Sequence, residues 1–202
     1  MSAARVAPIG FEGLGLADSL VKAVTALGYE EATPVQREAI PLIVSGRDLL
    51  AQAATGTGKT AAFALPMIQR LLEPAEAAAK RGARRRTAGL VLVPTRELAM
   101  QVAEAIHKYA RGSGLQVVPV YGGASMMQQI RALERGADIV VGTPGRILDH
   151  IRRNSLTLDA VRVLVLSNGS SASPPASARS SGAGPLSSRS RRISRSSSEI
   201  AD

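Results

Sequence analysis

Ala53-Ala54-Thr55-Gly56-Thr57-Gly58-Lys59-Thr60 lies between a short apolar run and a long amphipathic one, and its reading decides the fold. Small residues let successive backbone N–H groups wrap around a phosphate oxygen, and Gly56 and Gly58 tolerate the positive φ this requires. A helix starting here would point its positive end at the anion. Lys59 would then reach the β- and γ-phosphates of a nucleotide, and the Thr60 hydroxyl would bind Mg2+. The pattern is a Walker A loop with Ala53 in place of the first Gly; the bland alternative is a Gly/Thr-rich turn with a chance lysine. A dinucleotide fingerprint is excluded, because Gly56-Thr57-Gly58 is not followed by a third Gly at the required spacing.

Outward from the loop, short apolar runs alternate with amphipathic stretches up to Leu166. Strands are expected at Asp48–Ala51, Gly89–Val93, Gln116–Val120, Asp138–Val141 and Val161–Leu166. Helices are expected near Gly58–Leu72, Arg96–Ala110, Ser125–Arg135 and Arg146–Arg153. This alternation predicts an α/β fold, a parallel sheet covered by helices on both faces, with ligands beyond the carboxyl ends of its strands. Two helices precede the first strand: Leu16–Leu27, closed by Gly28, and a second opened by Thr33-Pro34-Val35-Gln36 as cap, first-turn proline and capping-box glutamine.

Composition narrows the setting. Only Phe11, Phe63, Tyr29, Tyr109 and Tyr121 are aromatic, so aliphatic residues must fill the core. The absence of Cys excludes disulfides and thiolate metal sites and suits a reducing cytoplasm. No stretch approaches the ~20 apolar residues that span a bilayer, nor does Met1–Gly10 carry a signal-like apolar run, so a soluble protein is expected. The formal net charge of +9 favours a polyanionic partner such as nucleic acid, although basic solvated surfaces are common. Lys80-Arg81-Gly82-Ala83-Arg84-Arg85-Arg86 reads as a solvated loop or, alternatively, as a track for RNA phosphates. His107 and His150 match no metal pattern and read as surface helix residues.

Five segments resemble, in order, those of DEAD-box RNA helicases. Gly28-Tyr29-Glu30-Glu31-Ala32-Thr33-Pro34-Val35-Gln36 is similar to the Q motif, with Phe11 placed 17 residues before Gly28. The phosphate loop follows. Pro94-Thr95-Arg96-Glu97-Leu98-Ala99 resembles motif Ia, Gly122-Gly123 the paired-glycine motif, and Thr143-Pro144-Gly145-Arg146 motif Ib. The resemblance covers residues 10 to 166 and implies an incomplete first RecA-like domain. It assigns nucleotide binding to Phe11, Tyr29, Thr33, Gln36 and residues 53 to 60, with Lys59 and Thr60 catalytic and Thr60 on Mg2+. Gln36 would select adenine through its amide, beside or in place of its capping role. Pro94, Thr95, Arg96, Gly122, Gly123, Thr143, Pro144, Gly145 and Arg146 would grip RNA through its backbone, with little sequence specificity. The activity implied is ATP hydrolysis coupled to duplex unwinding; protein partners are not indicated.

The pattern breaks at Ser167-Asn168-Gly169-Ser170, where the family carries Asp-Glu-Ala-Asp. Ser and Asn offer neutral oxygens but neither the charge that holds Mg2+ nor a base. The Ser-Ala-Thr motif and the second RecA-like domain are also absent from the sequence, so hydrolysis and unwinding are expected to be close to nil. The alternative is a nucleotide- or RNA-binding module, or a nonfunctional gene fragment. Residues 1–166 are thus expected to form a partial domain, marginally stable because an interior strand is missing. Residues 167–202, with 14 Ser among Pro, Ala, Gly and Arg, are expected to be a disordered tail. That tail reads either as an Arg/Ser-rich arm or, favoured by the abrupt switch inside a motif, as out-of-frame translation.

Overall fold

Val, Ile and Leu supply the strands, and their alternating side chains divide between two apolar layers. The computed structural model describes residues 10–54, 56–80 and 85–167, except the side chains of 73, 74 and 76–80. In chain order the elements are α1 (Asp18–Ala26), α2 (Pro34–Val44), α3 (Lys59–Lys80), β1 (Gly89–Leu92), α4 (Arg96–Tyr109), β2 (Val117–Val120), α5 (Met126–Glu134), β3 (Ile139–Gly142), α6 (Pro144–Arg152) and β4 (Val163–Leu166). The four strands pair in parallel in the order β2-β3-β1-β4. Val91, Ile139 and Val141 point into the larger core with α1 to α4, whereas Leu90, Val118, Val120 and Val140 meet Leu133 of α5 and Ile147 of α6 on the opposite face. The expected α/β architecture is therefore present, with helices on both sides of a parallel sheet.

Helix boundaries moved where local chemistry is strong. Helix α3 continues past Leu72 to Lys80 through the helix-forming Ala75 to Ala79 stretch. Helix α6 starts at Pro144, because proline suits the first turn and Thr143 adopts the extended conformation of a cap.

The strand expected at Asp48–Ala51 is not formed. Residues 47–54 have no regular structure, and Leu49 and Leu50 are 41% and 97% exposed. A strand is held by ladder bonds to a neighbour. Both sides of β1 are taken by β3 and β4, and among the described residues no strand stands on the outer side of β4. Residues 47–54 pair with neither β1, which is taken on both sides, nor the open edge of β4. On β4 itself Val163 and Val165 pack against the larger core, while Leu164 and Leu166 remain 56% and 72% exposed on the other face.

Two further readings change. His150 is fully buried rather than on the surface, since its ring faces α5; His107 is exposed as expected. In the basic stretch, Arg85 pairs with the buried Asp138 at 2.5 Å and Arg86 pairs with Asp159, so carboxylates hold these arginines. Both lie before β1, at the amino ends of the strands; residues 81–84 are outside the described residues. The tail beyond Ser167 also lies outside them.

Candidate functional site

Helix α3 sets Met67 and Leu71 beside Gly89 at the start of β1. Those contacts set the second half of α3 against the amino end of β1, with Lys59 at the opposite end of the helix. The end of α2 and the residue before α1 hold the middle of α3. Arg70 Nη1 donates to Ile43 O at 3.2 Å, and Gln69 Oε1 accepts from Ala17 N at 2.9 Å.

The loop itself is closed. Gly56 and Gly58 take φ of 79° and 83°. Gly58 also has no room for a side chain, because a Cβ there would run into Gln36 Nε2 and lie 3.4 Å from Thr33 Oγ1. Gln36, 1% exposed, uses both ends of its amide: Oε1 accepts from Thr33 N at 2.9 Å and Nε2 donates to Gly58 O at 3.1 Å. Its capping and loop-bracing roles are therefore both visible. Lys59 Nζ donates to Ala53 O at 2.6 Å and Ala54 O at 2.7 Å, and Thr57 Oγ1 donates to Ala54 O at 2.7 Å. Thr60 occupies the first turn of α3, and Thr55 lies outside the described residues. Thr33 Oγ1 is buried next to the loop, where it faces the Gln36 backbone in a capping box without reaching a close hydrogen bond.

Phe11 is 2% exposed and stands edge-on to Tyr29, with centroids 6.3 Å apart, so it supports the 28–36 segment from within and offers no open ring face. Tyr29 in turn shares a 2.8 Å hydroxyl contact with Tyr109. Burial, then the Tyr29 hydrogen bond, pushes the Tyr109 phenol well above its ordinary pKa.

The other segments gather where parallel strands end. Pro94, Thr95 and Arg96 are exposed after β1, and Thr95 Oγ1 caps α4 by accepting from Leu98 N at 3.2 Å. Arg96 Nε donates to Glu97 Oε1 at 2.8 Å and holds that carboxyl below its usual pKa. Gly122 and Gly123 are exposed after β2. Gly123 has φ of 82°, and a Cβ there would lie 3.1 Å from Arg96 Nη1, so the first and second rim segments touch. Thr143 N donates to Val120 O at 3.0 Å, Pro144 and Gly145 are exposed, and Arg146 Nη1 donates to Ala124 O at 3.0 Å. The rim thus presents hydroxyls, glycine backbone and guanidinium groups, a set suited to phosphate oxygens.

Sequence reading missed Gln129, which is buried and links Tyr121, Arg146 and His150. Its spacing, four residues past the cap Ser125, carries no signal that separates it from any helix-face glutamine. At the end of β4, Ser167 N donates to Leu92 O at 2.9 Å, so this first position of the substituted segment is anchored beside β1. Residues 168–170 lie outside the described residues. Among the described residues no group of three His, Cys, Asp or Glu side chains could hold a metal ion.

A family model described as DEAD/DEAH box helicase matches residues 33–167. The chain is 47% identical over 156 residues to the DEAD-box ATP-dependent RNA helicase CshA of Bacillus cereus, and equally so to that of Bacillus thuringiensis. These alignments take in 77% of this chain but only 28% of each relative's length. Among solved structures, a DEAD box protein from the hyperthermophile Methanococcus jannaschii superposes with a TM-score of 0.70 at 40% identity, covering 78% of this chain and 41% of that one. A hypothetical ATP-dependent RNA helicase from Sulfolobus tokodaii gives 0.65 at 34% identity, covering 75% and 41%. The sheet with its flanking helices is thus a partial RecA-like domain.

Proposed function

The chain belongs to the DEAD/DEAH box helicase family, and from that premise we propose that it binds ATP at residues 53–60 and RNA along the rim while lacking the hydrolysis that drives unwinding. The observation that carries this reading is the bracing of Gly58 by Gln36, which joins the adenine-side segment to the phosphate loop. The cradle fits a nucleotide: two positive-φ glycines, the start of a 22-residue helix, and a lysine beside them. Bound ATP would supply the phosphoanhydride and its negative charge. Lys59 would release the two loop carbonyls and turn to phosphate, and the Thr60 hydroxyl would contribute one oxygen to Mg2+, an ion that takes its remaining ligands from phosphates and water. Gln36 would recognise adenine with an amide that is already oriented, in exchange for one of its present bonds. Phe11 and Tyr29 would act by shaping the segment that holds it.

RNA would lie across Thr95, Arg96, Gly122, Gly123, Thr143 and Arg146, held through phosphates and 2′-hydroxyls without base reading. Hydrolysis fails in this reading because the sequence Ser167-Asn168-Gly169-Ser170 supplies neither the carboxylate charge nor a base. No described helix is long and apolar enough to cross a membrane, and the Cys-free composition suits work in the cytoplasm.

Phosphate release with ATP, Mg2+ and RNA tests the proposal on the full chain. Background release is expected with and without RNA, together with ATP binding that Lys59→Ala abolishes. RNA-stimulated release that disappears in Lys59→Ala would overturn it. Competition between ATP and GTP tests Gln36: equal affinity removes the adenine role.

A further inference from the structure

Between α5 and α6 the side chains of Gln129, Arg146, His150 and Ser155 form a largely buried chain of hydrogen bonds, of which the RNA reading uses only Arg146. Gln129 Nε2 donates to Tyr121 O at 3.0 Å, which fixes the orientation of its amide. Its Oε1 then accepts from Arg146 Nη1 at 3.2 Å and lies 3.0 Å from His150 Nε2. The same Arg146 Nη1 reaches Ala124 O at 3.0 Å. Tyr121 and Ala124 flank Gly122-Gly123, so one glutamine and one arginine together bind both sides of the glycine pair.

We propose that Gln129 and His150 are positioning residues for RNA, holding the Arg146 guanidinium against the Gly122-Gly123 loop so that the two segments meet the RNA backbone as one preformed surface. This rests on the RNA reading of those segments. With Nη1 occupied twice and the Arg146 side chain only 14% exposed, the guanidinium cannot swing as a free surface arginine does. Its plane is set before a phosphate arrives, which spares the ordering entropy of a long side chain.

His150 serves the arrangement by being neutral. Because Gln129 Oε1 is an acceptor, His150 Nε2 carries the proton, while Nδ1 lies 2.8 Å from Ser155 Oγ, whose single hydroxyl hydrogen also has His150 O within 3.1 Å. The left-handed turn at Asn154, with φ of 55°, brings Ser155 back over the ring after α6 ends. Burial and the adjacent Arg146 hold the imidazole below its ordinary pKa, with Arg153 acting the same way and Asp149 opposing. The ring therefore steadies Gln129 without adding a second positive charge beside Arg146.

Anisotropy of a fluorescein-labelled oligouridylate with the full chain, measured over a salt series, tests this. Arg146→Ala and Gln129→Leu are each expected to weaken binding roughly tenfold and to flatten the log–log salt slope by about 0.7, the share of one single-strand phosphate contact. The double variant is expected to bind no more weakly than Arg146→Ala alone. Should Gln129→Leu lose its circular dichroism, Gln129→Glu carries the test, because a carboxylate keeps a polar partner for Arg146 but neutralises its charge, and the slope must flatten again. Loss in Arg146→Ala with unchanged affinity and slope in folded Gln129 variants would overturn the positioning role and leave the RNA reading standing. Additive losses with an unchanged slope would make Gln129 merely structural and overturn it too. An inert Arg146→Ala, or no RNA binding by the unsubstituted chain, would remove the RNA reading and this inference together.

Discussion

The strands β2, β3 and β1 and the strand β4 belong to one sheet yet live under different conditions. All four residues of β3 are buried, β1 lies between two neighbours, and the loops after β2 and β3 are tied to each other by side-chain hydrogen bonds. Across β1, β4 shows two leucines to solvent, and residues 47–54, which lead into the phosphate loop, pair with nothing regular. The rim formed by the loops after β1, β2 and β3 is thus held together by contacts among the described residues. The loop at residues 53–60 is held instead from its helix side, by Gln36 and α3, and among the described residues no strand lies behind it. Preorganisation therefore has two separable sources in this fold, and they are unequally developed among the described residues.

The widest gap is expected in amide exchange. Amides of Val140 and Val141 should exchange at least about 10³-fold more slowly than those of Leu49 to Ala51, read by mass spectrometry or NMR, and similar protection in both would erase the contrast. Next comes core truncation. Ile139→Ala should lower unfolding stability by about 2–5 kcal/mol, whereas Leu164→Ala, at a half-exposed position, should stay within about 0.5 kcal/mol in urea titrations. Equal losses would mean that β4 is as well packed as β3.

A smaller effect separates the two sides by pH. His150 has its pKa lowered in the folded state by burial and by Arg146, so the unfolded chain takes up the proton first. Its contribution is fully present above about pH 6.5 and is lost as pH falls below that value toward the folded-state pKa. Melting midpoints should therefore drop on acidification more in the parent chain than in His150→Gln, and an identical drop in both would deny the buried neutral ring. The least effect is expected at the exposed Glu104–Lys108 pair on α4, where Glu104→Gln should leave the midpoint unmoved.

Most of the architecture was legible because its signals are local. The glycines and lysine of residues 56–59, the Thr33 and Thr95 caps, and the valine-rich strand runs each declare a backbone state on their own, and the α/β order followed from their alternation. The Asp48–Ala51 strand misled because an apolar run states a capacity for pairing, while pairing itself depends on a neighbour far away in sequence. His150 and Gln129 stayed hidden for a related reason: a polar residue on a helix face looks solvated until another helix is laid over it. Arg85 and Arg86 read as free charge because Asp138 and Asp159, more than fifty residues on, were not visible as their partners.

The grip of Lys59 on Ala53 O and Ala54 O carries a kinetic consequence. A nucleotide bound there as proposed would meet a loop whose lysine is already engaged, so capture would wait for that latch to open. The observed association rate should then level off as ATP concentration rises, and the plateau would report the opening rate of the loop rather than the speed of encounter.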